Sequence, residues 1–338
     1  WLKSSLGQRC SVLSNSMISA CRQFFSAGWH RQLRLQQHTA QRCFSAVLVD
    51  GKPGLGTVSV QDLTFIRGDG AFDVVALLPA PSNAAVGRPL GLDLHLDRLE
   101  STCHSLRLEM PKVESINDWV HEMGRANGPG ICRMIITRGQ SAKGLPPKCI
   151  MLHEPPATYP PAMRLKSMAA PWHFGYALPP LQDPPSYSQR VDIDSWTTVK
   201  WMSYAPNCLM TRVAQEHGAD DAMLIAADGR VLDGPNFAIG FVIGERLRLV
   251  HAGANRMLPS CTQMLVVKAA EEAGLPLDEG IVHTHELEDA TACFAMSATR
   301  HVMPVSDVDE RKLGTQDTLL QKLRDAYWRL AEAELQSW

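Results

Sequence analysis

The sequence predicts an α+β protein of two domains, and three observations carry that prediction. Two-residue turn signals at Asp228-Gly229 and Gly244-Glu245 mark hairpins in the second half. The helical stretches are grouped around these hairpins instead of alternating with single strands, which argues against a doubly wound parallel sheet. A Pro-rich region from Pro146 to Pro185 interrupts regular structure near mid-chain. The 338 residues, 45% hydrophobic and 20% charged, have the profile of a soluble globular chain long enough for two cores. A net charge of -2 gives no electrostatic reason to expect nucleic acid or an anionic membrane as partner. No run approaches the ~18–20 apolar residues of a membrane span. The 9 cysteines are scattered, odd in number and without a CxxC pair, which suits reduced thiols better than disulfides or a zinc site.

Residues 1–45 stand apart. No Asp or Glu occurs from Trp1 to Val49, while Lys3, Arg9, Arg22, Arg31, Arg34 and Arg42 lie among many Ser and Gln. That pattern is expected of a mitochondrial or plastid transit peptide, with a disordered tail of a cytoplasmic protein as the alternative. A first domain is expected over 46–170. It opens with a strand at Ala46–Val49, continues with a strand at Phe72–Leu78 and a turn at Pro79–Asn83, then a helix over His95–Leu108 ended by Pro111. A helix around Trp119 and a strand at Ile131–Thr137 follow, then strand fragments at Cys149–Leu152 and Arg164–Ser167. A linker is expected over 171–190 and a larger domain over 191–338. There, Trp196–Val199 reads as a strand, Asn207 as the N-cap of a helix over Cys208–His217, and Asp228-Gly229 as a type I′ turn. Ser260 reads as the cap of a helix from Cys261 to Ala273, Phe294 opens a strand, and Leu319–Leu335 is helical.

Lys200 lies between the expected strand and the helix after it. A lysine held there and desolvated has a lowered pKa and a free lone pair, as attack on a carbonyl requires. A solvated lysine at a strand end is the alternative reading of the same local sequence. Around Lys200 stand Gly68-Asp-Gly-Ala-Phe-Asp73, Asp93-Leu-His-Leu-Asp-Arg-Leu99, Thr137-Arg-Gly139, Val199-Lys-Trp-Met-Ser-Tyr204, Val231-Leu-Asp-Gly-Pro235, Met257-Leu-Pro-Ser-Cys-Thr262 and the stretch from Phe294 to Val305. In this order, over residues 47–310, they resemble the class IV (fold type IV) pyridoxal-phosphate enzymes, which include branched-chain and D-amino-acid aminotransferases and aminodeoxychorismate lyases.

The resemblance implies a two-domain fold with the active site between domains, pyridoxal 5'-phosphate as cofactor, and a homodimer. It implies that Lys200 carries the cofactor as a Schiff base and then shuttles protons. Arg98 and the helix start at Ser260, Cys261 and Thr262 are expected at the phosphate, with Ser297 and Ala298 as a second backbone contact. Tyr204 is expected near the phenolic oxygen and Asp233 at the ring nitrogen. Phe72 is expected to line the substrate pocket, and Arg138 or Lys143 to meet a substrate carboxylate, with a structural surface role for each as the alternative. The chain departs from the family pattern at Asp233 (usually Glu), Ser260 (usually Gly), Gln263 (usually Arg) and Ala238 (often Asn). The Arg-x-His carboxylate trap of D-amino-acid aminotransferases is replaced by Lys143 and Leu145. The leading expectation is amino transfer between an amino acid and a 2-oxo acid. The alternatives are β-elimination of the aminodeoxychorismate lyase type and a cofactor-binding protein with weak catalysis. His283-Thr-His285 reads as a strand face without a third metal ligand, and Gly51–Gly56 lacks dinucleotide-loop spacing.

Overall fold

The computed structural model describes residues 46–54, 57–170, 197–255 and 257–336. The expected leader (1–45) and linker (171–190) lie outside the described residues. Residues 46–157 and 162–336 belong to one compact unit, of which 158–161 are not part. It contains two sheets, giving the α+β class.

The first sheet is antiparallel throughout: β1 (Val47–Val49), β2 (Lys52–Pro53), β3 (Gly70–Ala80), β4 (Asn83–Pro89), β5 (Gly130–Thr137) and β6 (Cys149–Glu154), in the order β2-β1-β6-β5-β3-β4. Helices α1 (Leu63–Arg67), α2 (Leu92–Leu106) and α3 (Val113–Asn127) accompany it. The two-residue period of β3 decides what each face meets. Ala71, Val75 and Leu77 pack against Leu92, Leu96 and Leu99 of α2 and Ile116 and Val120 of α3. Ala76 and Leu78, on the opposite face, join the core of the second sheet. One strand therefore fastens the two halves together. Arg107, in the left-handed region at φ 52, ends α2 before Pro111 is reached.

The second sheet runs β11 (Leu277–Gly280), β10 (Arg246–Val250), β9 (Ala238–Ile243), β12 (Ala290–Ser297), β13 (His301–Val308), β7 (Met163–Ala169) and β8 (Asp221–Ile225), with β14 (Arg311–Lys312) paired to β13. The pairs β10/β11, β13/β7 and β7/β8 are parallel. Strand β7, in the range expected for the first domain, pairs in this sheet because Met163 and Leu165 bury in its core. The helices of this half are α4 (Ala205–Glu216), α5 (Ala252–Asn255), α6 (Cys261–Glu272) and α7 (Thr318–Gln336). Alternation again splits the faces: Ala292, Phe294 and Met296 meet α6 and α7, while Cys293 and Ala295 meet Met223, Val231 and Leu232. Among the described residues no helix is long and apolar enough to cross a membrane.

Three local expectations are corrected. Residues 197–199 form no strand. Helix α4 starts at Ala205 with Pro206 in its first turn, because Asn207 donates its side-chain amide to the Pro235 carbonyl (2.7 Å) instead of capping. Asp228-Gly229 is not type I′: only Gly229 has positive φ (82°), and its N–H reaches the Ala226 carbonyl (3.0 Å), a type I turn followed by a left-handed glycine. Gly244-Glu245, with φ of 56° and 62°, is the type I′ hairpin expected. His283 and His285 stack at 5.4 Å around the start of a 3-10 turn and share no strand face. No metal-binding cluster occurs among the described residues.

Candidate active site

Lys200 is held by the first sheet. Its N–H donates to the Thr102 hydroxyl (3.2 Å), its carbonyl accepts from Phe72 N (2.9 Å), and Met202 N donates to the Gly70 carbonyl (2.8 Å). The last two bonds form an isolated antiparallel bridge between Trp201 and Ala71. The scaffold expected from a strand end is supplied instead by β3 and α2. Gly68, left-handed at φ 69, makes this docking possible: a Cβ there would meet Ser203 Oγ at 2.2 Å. Gly68→Ala is expected to cost about 1–2 kcal/mol from the left-handed backbone and to displace the 200–204 segment. A lower Tm together with weaker cofactor binding checks this.

Phe72 and Tyr204 wall the amine. Their rings meet edge to face at 5.2 Å, and Lys200 Nζ lies 4.7 Å from the Phe72 centroid and 5.4 Å from that of Tyr204. Desolvation, reinforced by the positive charge of Arg98, lowers the Lys200 pKa to about 8. At pH 7.5 about a quarter of such amines are neutral, against roughly one in a thousand for an ordinary lysine. Burial, with the negative charge of Asp233 beside it, pushes the Tyr204 phenol up. Burial also pushes the Asp233 carboxyl up to about 7, opposed by its own backbone N–H and by Lys200. Leu224 N donates to the Asp233 carbonyl (2.9 Å), fixing the backbone beneath that carboxyl.

The anion end is built where α2 meets α6. Asp73, fully buried, accepts from Arg98 Nε (2.8 Å) and Nη2 (2.8 Å) and from His95 Nδ1 (2.7 Å). Arg98 Nη1 donates to the Pro259 carbonyl (2.8 Å), just before α6. Ser260 caps that helix, its Oγ accepting from Gln263 N (3.2 Å). The amides of Cys261 and Thr262, in the first turn, have no intrahelical acceptor and sit at the positive end of the helix dipole. Gln263, where the family has Arg, turns away to the Val250 carbonyl (3.1 Å) and Glu279 (2.8 Å). Ser297 and Ala298 begin the turn between β12 and β13, where Ser297 Oγ accepts from Arg300 N (3.2 Å).

Arg138 and Lys143 do not join this constellation. The Arg138 guanidinium binds both Asp69 carboxylate oxygens (3.0 and 2.8 Å) and the carbonyls of Arg107 (2.5 Å) and Leu106 (2.6 Å). It clamps the end of α2, which is the structural alternative to the substrate role. Lys143 is exposed in the 3-10 turn Ser141–Lys143. Asp73, His95 and Thr102 were missed as individual site residues. The His95/Arg98 spacing of i and i+3 on one helix face was the available signal for His95.

The donor set fits pyridoxal phosphate. An amine with a lowered pKa, a carboxyl that burial raises, a phenol, and a guanidinium beside free helix amides match the cofactor's aldehyde, ring nitrogen, phenolic oxygen and phosphate. The profile of the amino-transferase class IV family matches residues 82–308. The chain is 25% identical over 284 residues to a putative branched-chain-amino-acid aminotransferase of Methanocaldococcus jannaschii, covering 80% of this chain and 90% of that protein. It is 24% identical over 286 residues to a bifunctional aminodeoxychorismate lyase / D-amino acid transaminase of Mycobacterium tuberculosis, covering 79% and 92%. A solved hypothetical aminotransferase from Mycobacterium tuberculosis in its PLP-bound form superposes with a TM-score of 0.70 at 20% identity, covering 85% and 99%. With the family profile spanning most of the described fold, the chain belongs to the class IV aminotransferases, which depend on pyridoxal phosphate.

Proposed function

We propose that the protein is an aminotransferase that moves an amino group between an amino acid and a 2-oxo acid, working as a homodimer. The observation that carries this reading is Lys200: an amine held by two sheet-like hydrogen bonds, walled by two aromatic rings and shifted toward neutrality. Pyridoxal phosphate supplies the electron sink for the carbanion formed at the substrate α-carbon. Lys200 Nζ carries the proton to and from that carbon, for which a pKa near the working pH is best. Asp233 would hold positive charge at the cofactor's ring nitrogen and Tyr204 would serve its phenolic oxygen, while Phe72 shields the amine from water. Asp233→Ala is expected to lower turnover by about 10²–10³-fold, while Asp233→Glu, with the family's longer stem, keeps it. Steady-state kinetics of the two variants check this.

The experiment that tests the reading is incubation of the loaded protein with a panel of L- and D-amino acids and 2-oxo acids, scoring amino transfer. The second reading, a β-elimination lyase on the same cofactor, is favoured by the dual name of the Mycobacterium relative. Release of pyruvate and p-aminobenzoate from aminodeoxychorismate, without amino transfer, would select it.

A further inference from the structure

We propose that Arg300 is a positioning residue for Asp233: its guanidinium ties the 233–237 loop to the turn between β12 and β13 and so fixes where the Asp233 carboxylate stands. It rests on the cofactor reading above and deepens it. Asp233 is one methylene shorter than the glutamate usual in the family, so its reach to the ring nitrogen is set by the backbone that carries it.

Arg300 itself departs from a fixed backbone. Ser297 and His301 pair across the hairpin, and residues 298–300 form a three-residue loop between them. Arg300 N donates to the Ser297 carbonyl and to the Ser297 hydroxyl, both at 3.2 Å. His301 follows in the left-handed region at φ 54, the usual close of such a loop. Its buried ring is pinned by α7: Nδ1 lies 3.0 Å from the Tyr327 hydroxyl, and the ring centroid 4.8 Å from that of Trp328.

The side chain then reaches the loop that follows Asp233. Nη2 donates to Asp221 (3.1 Å), Nη1 donates to the Asn236 side-chain oxygen, and the guanidinium lies over the Phe237 ring at 5.1 Å. Asp221 is a firm anchor: it is buried on β8 and also accepts from the Thr211 hydroxyl of α4 (2.8 Å) and from Ala222 N (3.0 Å). Gly234 N donates to the Phe237 carbonyl (2.8 Å), closing the loop on itself. The Phe237 ring packs so tightly on Gly234 that a Cβ there would meet it at 2.1 Å. A residue that holds Phe237 therefore holds the neighbour of Asp233. Leu224 N at the Asp233 carbonyl and the Asn207 amide at the Pro235 carbonyl restrain the loop from β8 and α4, and Arg300 restrains it from the β12–β13 turn. The Arg300 charge is matched by Asp221, so what it gives Asp233 is position. Lysine would keep the charge but lacks the planar fork that serves Asp221, Asn236 and the Phe237 face together.

The test reads the ring nitrogen directly. The full-length protein is loaded with pyridoxal phosphate carrying nitrogen-15 in the ring, at pH 8, above the value of about 7 at which Asp233 ionises. The NMR shift tells a protonated ring nitrogen from a neutral one. Wild type is expected to be protonated and Asp233→Ala neutral. Arg300→Lys is expected to lose part of the protonated signal and to lower turnover about 5- to 30-fold, a coupling usual for residues in one hydrogen-bonded network. In the Asp233→Ala background the same change should move neither readout further. The Tm without cofactor should stay near the wild-type value, because lysine keeps the charge opposite Asp221. A neutral ring in the wild type, a wild-type signal in Arg300→Lys, or an equal loss of turnover in both backgrounds overturns the proposal and leaves the Lys200 reading intact. Absence of any lysine-dependent absorbance band in the wild type overturns the cofactor reading itself. If Arg300→Lys does not fold, Asn236→Ala, at an exposed residue, removes the same bond and is judged by the same outcomes.

Discussion

Lys200→Ala is expected to fold and to lose turnover by at least about 10²–10⁴-fold, the contribution of a positioned proton-transfer group. Folding should survive because the segment is anchored by its backbone: the bonds to Thr102, Phe72 and Gly70 use the 200–202 main chain and not the amine. Removing a half-buried cation beside Arg98 also relieves a like-charge contact. The variant should therefore melt at or slightly above the wild-type temperature in the absence of cofactor. A large fall in turnover without a fall in Tm, measured on the same preparation, separates chemical from structural loss.

Asp73→Asn is expected to damage the fold more than any substitution at the cofactor itself. Asp73 is the common acceptor for Arg98 and His95, and removing its charge leaves the buried Arg98 guanidinium without its counter-ion. Breaking one side of a buried ion pair costs about 3–5 kcal/mol. Because the same cluster joins β3, α2 and the start of α6, cofactor binding should fail with it. The pH dependence follows from the direction of the shift. The Asp73 pKa is lowered in the folded protein, so its stabilisation is complete above the ordinary aspartate value near 3.9 and disappears as the pH falls further. Denaturant titrations at pH 7 and pH 3 should give a wild-type difference that is much reduced in Asp73→Asn.

Much of this architecture was legible because its signals are local. The apolar run Ile131–Thr137, the spacing of Leu96, Leu99 and Cys103, and the Ser260 cap each declare one element, and each formed within a few residues of its expected bounds. The motif order around Lys200 pointed to the cofactor, and the fold brings Phe72, Arg98, Lys200, Tyr204, Asp233 and Cys261 into mutual electrostatic or ring contact. What sequence could not give was the tertiary use of each side chain. Arg138 reads as a free cation until Asp69 and two carbonyls are seen around it. Asn207 reads as a cap until Pro235 is placed next to it. Lys200 was credited to a strand of its own, whereas its restraint comes from β3, about 130 residues earlier.

The central claim is that Lys200 carries the cofactor, and chemical capture tests it most directly. The full-length protein loaded with pyridoxal phosphate is reduced with borohydride, digested, and the modified peptide sequenced by mass spectrometry. The expected result is a phosphopyridoxyl mass on Lys200 in wild type and on no lysine in Lys200→Ala. Label on a different lysine, or an unmodified Lys200 in protein that retains the cofactor, would contradict it.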